Sequence, residues 1–306
     1  MGRVMKILIT GAWDCTESQL SEIEKMGHQA IFLPMETDAI PAEYCEIDAV
    51  ICNGLFQHHN ISLFINLKYI QLTSAGYDRV PLEYIKENNI TIHNAKGVYD
   101  VPMAEFALSG VLSLYKQSKY FCENQINKVW KKNRDLRELF GSHVCIIGCG
   151  SVGCECAKKF KALGCNITGV DLLHIDNYLF DTVYNIESLN IALRNADVVI
   201  ITLPLNESTY RLFDRSKFEN MKNGAIIVNI ARGGIVDTNE MITALETKLG
   251  GAVLDVFEQE PLETDSPLWS MENVILTPHN SFVGNGNAQR LWSTIKKNLT
   301  EYLSSK

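Results

Sequence analysis

Short apolar runs alternate with helical segments through the first hundred residues of this chain. Apolar runs of about four to eight residues are typical of strands, and apolar positions spaced three and four apart indicate helices. The pattern predicts strands at residues 6–10, 30–33, 49–52, 69–73 and 91–93, with helices at 17–26, 61–65 and 82–88. This alternation is typical of a parallel sheet with helices on its faces.

The rest of the chain repeats this alternation on a larger scale. Six apolar runs predict strands at residues 144–147, 166–170, 198–203, 225–230, 251–256 and 274–276. Helices are predicted between them at 152–163, 186–195, 215–220 and 238–248. One continuous helix from Asp100, its predicted N-cap, to about residue 124 precedes these strands, and an amphipathic helix is predicted at 288–303. Six such strands indicate a doubly wound fold.

A glycine motif lies at the first of these six strands. Gly148, Gly150 and Gly153 form Gly-x-Gly-x-x-Gly directly after the strand, and Ser151 and Val152 begin the following helix. The first glycine permits a tight turn, the second lets backbone approach a pyrophosphate, and the third allows close packing of helix on strand. The helix N-terminus favours phosphate. Asp171 ends the next strand, where an acid binds ribose hydroxyls, so we predict NAD in preference to NADP.

Composition narrows the class of protein. The 306 residues are 46% hydrophobic, which is enough for two cores and two domains. The net charge is −8, and no Lys/Arg block is long enough for a nucleic-acid surface. No apolar stretch approaches the roughly 20 residues of a membrane span, and the N-terminus has no signal-peptide pattern. We expect a cytoplasmic protein that binds neither nucleic acid nor a membrane.

The chain has nine cysteines, and an odd number in an acidic chain of this size favours free thiols in a reducing compartment. Five of them fall between residues 145 and 165: Cys145, Cys149, Cys154, Cys156 and Cys165. Their spacing does not match a metal site, because they are spread over a strand, a turn and different faces of a helix. We predict no metal.

Polar or glycine-containing elements follow one strand after another. In open α/β sheets ligands bind outside the carboxyl ends of the strands, so these residues should share one edge. After the glycine motif and Asp171 they are Thr202 and Pro204, then Ala231 and Arg232, then Asp255 and Glu260, and finally His279. We predict that all of these line the cofactor site, with Glu260 beside the histidine.

An arginine, a carboxylate and a histidine suit hydride transfer to a carbonyl. His279 could deliver a proton to the developing alkoxide, and Glu260 could stabilise its protonated form if the fold brings the two together. Arg232 offers a bidentate fork for a substrate carboxylate. Taken singly, each has an ordinary structural interpretation: a packing histidine, a turn acid and a surface ion-pair partner.

Three segments resemble signatures of the D-2-hydroxyacid dehydrogenase family, which includes D-lactate, glyoxylate/hydroxypyruvate and phosphoglycerate dehydrogenases. They are residues 228–237, 254–262 and 276–279. The resemblance implies that His279 is the proton donor, that Glu260 is its partner and that Arg232 binds the substrate. It places Asp255 near the nicotinamide. It also implies that Ser74, Ala75 and Gly76 form the loop whose N–H groups bind the substrate carboxylate.

The same resemblance implies a plan of two doubly wound parallel-sheet domains. A Rossmann cofactor domain at residues 101–279 is inserted into a flavodoxin-like substrate domain at 1–100 and 280–306, with a cleft between them. The family habit implies a homodimer formed through the cofactor domains. The reaction implied is hydride transfer between NAD and a small 2-oxoacid or D-2-hydroxyacid.

The side chain of the substrate is predicted to contact the loop after the third strand, where Leu55 and Phe56 favour a modest apolar group. His58 and His59 in the same loop are expected to face solvent.

Two other functions stay open. A dinucleotide-sensing corepressor shares this fold and similar residues, and it would bind NADH without turnover. A formate dehydrogenase is disfavoured, because enzymes of that kind resembling this family place glutamine where Glu260 stands.

Overall fold

The computed structural model describes residues 4–40, 42–172 and 177–304. The first strands and helices are β1 (Lys6–Thr10), α1 (Glu17–Lys25), β2 (Gln29–Leu33), β3 (Ala49–Cys52), β4 (Tyr69–Leu72), α2 (Leu82–Glu87) and β5 (Thr91–His93). Two helices, α3 (Asp100–Tyr115) and α4 (Ser118–Ile126), come next. Then follow β6 (His143–Ile147), α5 (Ser151–Ala162), β7 (Asn166–Asp171), β8 (Thr182–Asn185), α6 (Leu189–Leu193), β9 (Val198–Ile201), α7 (Arg215–Asn220), β10 (Ile226–Asn229), α8 (Thr238–Thr247), β11 (Gly251–Leu254), β12 (Val274–Leu276) and α9 (Asn287–Ser304).

The chain divides into two compact units. Unit 1 comprises Met1–Tyr99 with Gly284–Lys306, and unit 2 comprises Asp100–Val283. The limits predicted from sequence, 1–100 with 280–306 and 101–279, differ from these by a few residues. Within the described residues, no helix is long and apolar enough to cross a membrane.

Unit 1 is built on a five-stranded parallel sheet with the order β2-β1-β3-β4-β5. This is the flavodoxin-like order, whose topological switch point lies between β1 and β3. Alternate residues of the strands enter two separate cores: Ile7 and Ile9 pack with α1 and α9 on one face, and Leu8 packs on the other. The C-terminal helix belongs to this unit because Arg290 Nε donates to the Val98 carbonyl at 2.7 Å and its apolar face is buried.

Unit 2 carries a seven-stranded parallel sheet with the order β12-β11-β10-β9-β6-β7-β8. Its central strands β9 and β10 are fully buried and, apart from Asn229, apolar, with core clusters on both faces, as strands covered by helices require. The switch point lies between β6 and β9, so the loops after these two strands diverge at the place where dinucleotides bind in such sheets.

Two sequence predictions of unit 2 were wrong. The sheet has seven strands rather than six, because the half-exposed edge strand β8 lacks a continuous apolar run. The predicted continuous helix from residue 100 to 124 is two helices, α3 and α4. Gln117, at the N-cap of α4, has a φ of 53° in the left-handed region, which interrupts the α-helical path.

Asp197 fastens the amino-terminal edge of this sheet. Its carboxylate accepts hydrogen bonds from the His143 N–H at 2.9 Å and from Lys222 Nζ at 2.7 Å. Burial alone would oppose ionisation, but the Lys222 and His143 hydrogen bonds outweigh it, so the pKa of Asp197 lies below its usual 3.8. A depressed folded-state pKa stabilises the fold above the unfolded value, and this contribution is lost as the pH falls through the folded value.

Asp197→Asn is therefore expected to lower the free energy of unfolding by about 1 kcal/mol at neutral pH, after allowance for partial solvent screening. The deficit relative to the unmodified chain should shrink as the pH falls below 3.8, where the carboxylate becomes protonated. Urea unfolding at neutral and acidic pH measures it, with the exposed Asp265→Asn as control. A deficit independent of pH would show that the ionised carboxylate is not the stabilising group.

Candidate active site

The glycine turn after β6 has the geometry that a pyrophosphate requires. Gly148 adopts a φ of 97°, which favours glycine, and its N–H donates to the Val170 carbonyl at 2.8 Å. A Cβ on Gly153 would lie 2.0 Å from the Gly148 carbonyl oxygen, so only glycine lets α5 pack on the turn. A Cβ on Gly150 would meet nothing within 4 Å. The turn thus leaves open space beside Gly150, where the N-terminus of α5 favours an anion.

Neighbouring strand ends support this turn. Asp171 ends β7, and its Oδ2 accepts a hydrogen bond from the Cys149 N–H at 2.7 Å. The Thr202 hydroxyl, after β9, donates to the Gly148 carbonyl at 2.6 Å. Ser151 and Val152 open α5 half-buried, and the Ser151 hydroxyl donates to Asp100 Oδ1 at 3.2 Å, while Pro204 is exposed. Ser151, Asp171 and Thr202 therefore lie around one turn, and the cradle suits a dinucleotide.

The cysteines near this turn serve as packing residues. Burial raises the pKa of Cys145, Cys149 and Cys156 to about 12 each, which disfavours the thiolate that a metal would need. Across the described ranges, no group of three or more His, Cys, Asp or Glu side chains could hold a metal ion.

The fold brings His279 and Glu260 together although they are 19 positions apart. His279 Nδ1 lies 2.9 Å from Glu260 Oε2, and each side chain is 39% exposed. The other carboxylate oxygen of Glu260 accepts from the Phe257 N–H at 3.1 Å, which fixes the carboxylate. With Nδ1 engaged, Nε2 is the nitrogen of His279 that can exchange a proton with a ligand.

Asp255 supports the loop that carries His279. It is fully buried, and it accepts hydrogen bonds from the Thr277 hydroxyl at 2.6 Å, the Asn280 N–H at 2.7 Å and the Ser281 N–H at 2.8 Å. The His279 N–H donates to the Asp255 carbonyl at 2.8 Å, and this holds the histidine in a left-handed conformation with a φ of 52°. The Asp255 carboxylate therefore supports the loop that carries His279, and its place near the nicotinamide stays a prediction.

Arg232 follows β10, next to β11 in the sheet. Its guanidinium Nη1 donates to the Ala231 carbonyl at 2.8 Å, and the Asn229 amide donates to the Arg232 carbonyl at 3.1 Å. A Cβ on Gly233 would lie 1.9 Å from the carbonyl carbon of Phe257, so the backbone after Arg232 touches the segment that leads to Glu260. Arginine, carboxylate and histidine are thus carried by adjoining loops at one edge of the unit 2 sheet.

Unit 1 holds the predicted substrate loop. The Ser74 hydroxyl donates to the Gly76 carbonyl at 3.0 Å, and the Asn94 amide donates to the Ala75 carbonyl at 2.6 Å. These bonds occupy carbonyl groups, and among the described residues the N–H groups of Ala75 and Gly76 donate to no protein oxygen. The loop therefore presents two N–H groups that could bind a carboxylate.

The predicted side-chain pocket needs two corrections. Leu55 is fully buried in the core of unit 1, so its side chain is not available to a substrate, whereas Phe56 is half-buried. His58 is exposed, but His59 is buried, with Nδ1 3.0 Å from the Tyr44 hydroxyl and Nε2 2.9 Å from the Glu36 carbonyl. Leu55 begins a short 3-10 helix, Leu55–Gln57, and the His59 N–H donates back to the Leu55 carbonyl at 3.0 Å, so the chain at both residues turns towards the interior of unit 1.

Glu36 is a further residue at a strand end, and no motif in the sequence marks it. Its carboxylate accepts from the Thr10 hydroxyl at 2.8 Å, the Asn53 N–H at 2.6 Å and the Gly54 N–H at 2.7 Å. It therefore spans the ends of β1 and β3, the switch point of the unit 1 sheet. An acid in a loop carries no local signal of such a contact, since its partners lie 17 to 26 positions away.

Comparisons with known proteins identify the family. A family model described as "D-isomer specific 2-hydroxyacid dehydrogenase, NAD binding domain" matches residues 108–281. The chain is 31% identical over 239 residues to an (S)-sulfolactate dehydrogenase of Chromohalobacter salexigens, which covers 77% of each protein. It is 33% identical over 298 residues to a D-3-phosphoglycerate dehydrogenase of Methanocaldococcus jannaschii, which covers 95% of this chain and 56% of that one.

A solved structure gives the same result for the whole chain. The crystal structure of a D-isomer specific 2-hydroxyacid dehydrogenase family protein from Aeromonas salmonicida subsp. salmonicida matches with a TM-score of 0.83 and 28% identity, covering 100% of this chain and 97% of that one. Nothing in these comparisons supports the alternative of a dinucleotide-sensing corepressor.

Proposed function

The chain belongs to the D-isomer specific 2-hydroxyacid dehydrogenase family, and we propose that His279, Glu260 and Arg232 are the catalytic residues of its NAD-dependent reaction on a small 2-oxoacid. The observation that carries this assignment is the 2.9 Å contact of His279 with Glu260 in the unit that holds the glycine turn. The cofactor, when bound, supplies or accepts the hydride. The residues of the chain must bind the acid, orient its carbonyl and move one proton.

Arg232 and His279 divide the work on the substrate. The guanidinium of Arg232 binds the carboxylate and stabilises negative charge that develops on the carbonyl oxygen. Nε2 of His279 delivers a proton to that oxygen in reduction and removes it in oxidation. Glu260 fixes the ring through Nδ1 and stabilises the imidazolium form. In unit 1, the N–H groups of Ala75 and Gly76 are proposed to bind the substrate carboxylate, and Phe56 to contact its side chain.

The hand of the product tests this reaction. With NADH and a prochiral 2-oxoacid such as pyruvate, we expect one enantiomer, because fixed positions for carboxylate, proton donor and cofactor expose one face of the carbonyl, and family membership makes it the D-2-hydroxyacid. Chiral chromatography of the product measures this. An L product, or a racemate formed enzymatically, would contradict the assigned roles.

We also propose that Asp171 gives NAD its advantage over NADP. The carboxylate would bind the ribose hydroxyls and repel a 2′-phosphate. Asp171→Ser is expected to lower the ratio of kcat/KM for NADH over NADPH by roughly tenfold or more. The KM for NADH should also rise, because the Cys149 N–H loses its acceptor. Glu187→Gln, which removes an exposed charge after β8, is the control. An unmodified chain with the same kcat/KM for NADPH as for NADH would contradict the proposal.

A homodimer is proposed from large exposed apolar side chains along residues 126–140 of unit 2. Trp130 is 99% exposed, Ile126 is 78% exposed and Phe140 is 77% exposed. Large apolar side chains clustered along one segment mark an association surface. We expect a dimer by light scattering after size exclusion, and a shift towards monomer in Trp130→Ser but not in Trp269→Ser, whose indole is exposed elsewhere. A monomeric unmodified chain would contradict this.

A reducing compartment, and hence a cytoplasmic location, is also proposed. None of the nine cysteines forms a disulfide bond, and five of them are buried. Free thiols in this number favour a compartment that keeps them reduced.

A further inference from the structure

We infer that Glu36 makes the enzyme select 2-oxoacids whose third carbon carries a neutral hydrogen-bond donor and reject those that carry a second anion there. This rests on the proposed function, because it concerns the substrate of that reaction. Glu36 follows β2, and its side chain reaches the ends of β1 and β3 at the switch point of unit 1. Ligands of open α/β sheets bind at such points.

The groups around Glu36 would otherwise form an anion site. Two consecutive N–H groups, of Asn53 and Gly54, point at one carboxylate, at 2.6 and 2.7 Å. Successive backbone N–H groups in such a concavity bind phosphate and other anions in many proteins. Here the chain supplies the anion itself, so the site is both filled and negatively charged.

The carboxylate of Glu36 is held in this place from two sides. The Thr10 hydroxyl donates to it at 2.8 Å, while His59 Nε2 contacts the Glu36 backbone carbonyl at 2.9 Å. A Cβ on Gly54 would lie 2.8 Å from Gln57 Oε1 and 3.4 Å from Glu36 Oε2. The side chains of Gln57 and Glu36 therefore pack closely against Gly54. These contacts disfavour a swing of Glu36 away to admit a phosphate.

The filled site adjoins the loop proposed to bind the substrate carboxylate. Asn53 and Gly54 follow β3, and Ser74–Gly76 follow β4, its neighbour in the sheet; Thr73 N–H donates to the Cys52 carbonyl at 2.8 Å. Adjacent strands lie about 4.8 Å apart. A substrate bound through its carboxylate at Ala75 and Gly76 would therefore place the group on its third carbon near Glu36, where a second anion is repelled.

Asn53 adds a preference for a donor. Its Oδ1 is buried and has no hydrogen-bond partner among the described residues. A buried acceptor without a partner is costly, and turning the half-buried Asn53 amide towards a hydroxyl on the substrate would satisfy it. Carboxylate and amide oxygen are both acceptors, so a hydroxyl suits this place better than a methyl group or a phosphate.

The test compares kcat/KM for pyruvate, hydroxypyruvate and 3-phosphohydroxypyruvate with NADH, in the unmodified chain, Glu36→Gln and the exposed control Glu24→Gln. We expect the unmodified enzyme to prefer hydroxypyruvate over its phosphate by about 100-fold. Glu36→Gln should lower that ratio roughly tenfold or more, mainly through the KM of the phosphate ester, because one negative charge is gone. Glu24→Gln should leave the ratio unchanged.

Several results would overturn the inference without touching the proposed function. One is an unmodified enzyme whose kcat/KM for the phosphate ester equals that for hydroxypyruvate. Another is a folded Glu36→Gln, checked by circular dichroism, with an unchanged ratio. If Glu36→Gln does not fold, the unmodified ratio is measured against ionic strength, and it must fall as salt screens the repulsion. If no 2-oxoacid is reduced, the proposed function is refuted instead. The inference is then tested by the melting temperature of the protein with NADH, which hydroxypyruvate must raise and its phosphate must not.

Discussion

His279→Ala is expected to lower kcat for 2-oxoacid reduction by roughly 10²- to 10⁴-fold, the usual contribution of a positioned general acid. The imidazole is the group whose Nδ1 is engaged by Glu260 at 2.9 Å and whose Nε2 is left to exchange a proton. The KM for NADH should change little, because the glycine turn and Asp171 are untouched. Stopped-flow and steady-state rates of NADH oxidation measure the loss.

A matched control separates chemistry from folding. His143→Ala removes an exposed histidine from the start of β6 in the same unit and should leave kcat unchanged. Glu260→Gln should give an intermediate loss, since the amide can still contact Nδ1 but does not stabilise the imidazolium charge. A fully active His279→Ala would contradict the proposed proton donor, whatever the behaviour of the other variants.

Arg232→Ala is expected to lower kcat/KM for the 2-oxoacid by about 10²- to 10³-fold or more, because both the carboxylate fork and the charge near the carbonyl oxygen are lost. The effect should appear in the KM of the acid as well as in kcat, which distinguishes it from the loss in His279→Ala. Arg232→Lys should recover only a small part, since an ammonium lacks the planar fork.

The exposed Arg215→Ala on α7 controls for removal of a positive charge from unit 2. A loss confined to the KM for NADH would contradict the proposed role of Arg232 and would place it at the cofactor instead. Steady-state kinetics with each substrate varied in turn decide between these results.

Much of the fold could be predicted from the sequence because its strands are buried on both faces. β9 and β10 consist of buried residues, all of them apolar except Asn229 at the end of β10, so the sequence pattern predicts them as strands. The glycine turn was equally plain, since Gly148 and Gly153 occupy positions where a Cβ meets backbone. Strands and turns whose residues are fixed by packing or by close backbone contacts can therefore be predicted from a single sequence.

The features that escaped prediction depend on tertiary contacts. β8 is half-exposed and pairs only at the sheet edge, so its residues need not be apolar. From sequence Leu55 is predicted to line a pocket, but in the 3-10 helix it is buried. Glu36 has the pattern of an ordinary loop acid, and only the fold shows that Thr10, Asn53 and Gly54 donate to it. The support of the His279 loop by the buried Asp255 side chain likewise depends on contacts 22 to 26 positions away.

The rate of NADH oxidation by the purified protein with a series of 2-oxoacids tests the proposed chemistry most directly. The series comprises glyoxylate, pyruvate, hydroxypyruvate, 2-oxoisocaproate, phenylpyruvate and 3-phosphohydroxypyruvate, each also measured with His279→Ala and Arg232→Ala. We predict turnover of at least one small 2-oxoacid, abolished or nearly so by both substitutions. Tight binding of NADH without turnover of any of these acids, or turnover that survives both substitutions, would contradict the catalytic roles proposed for this site.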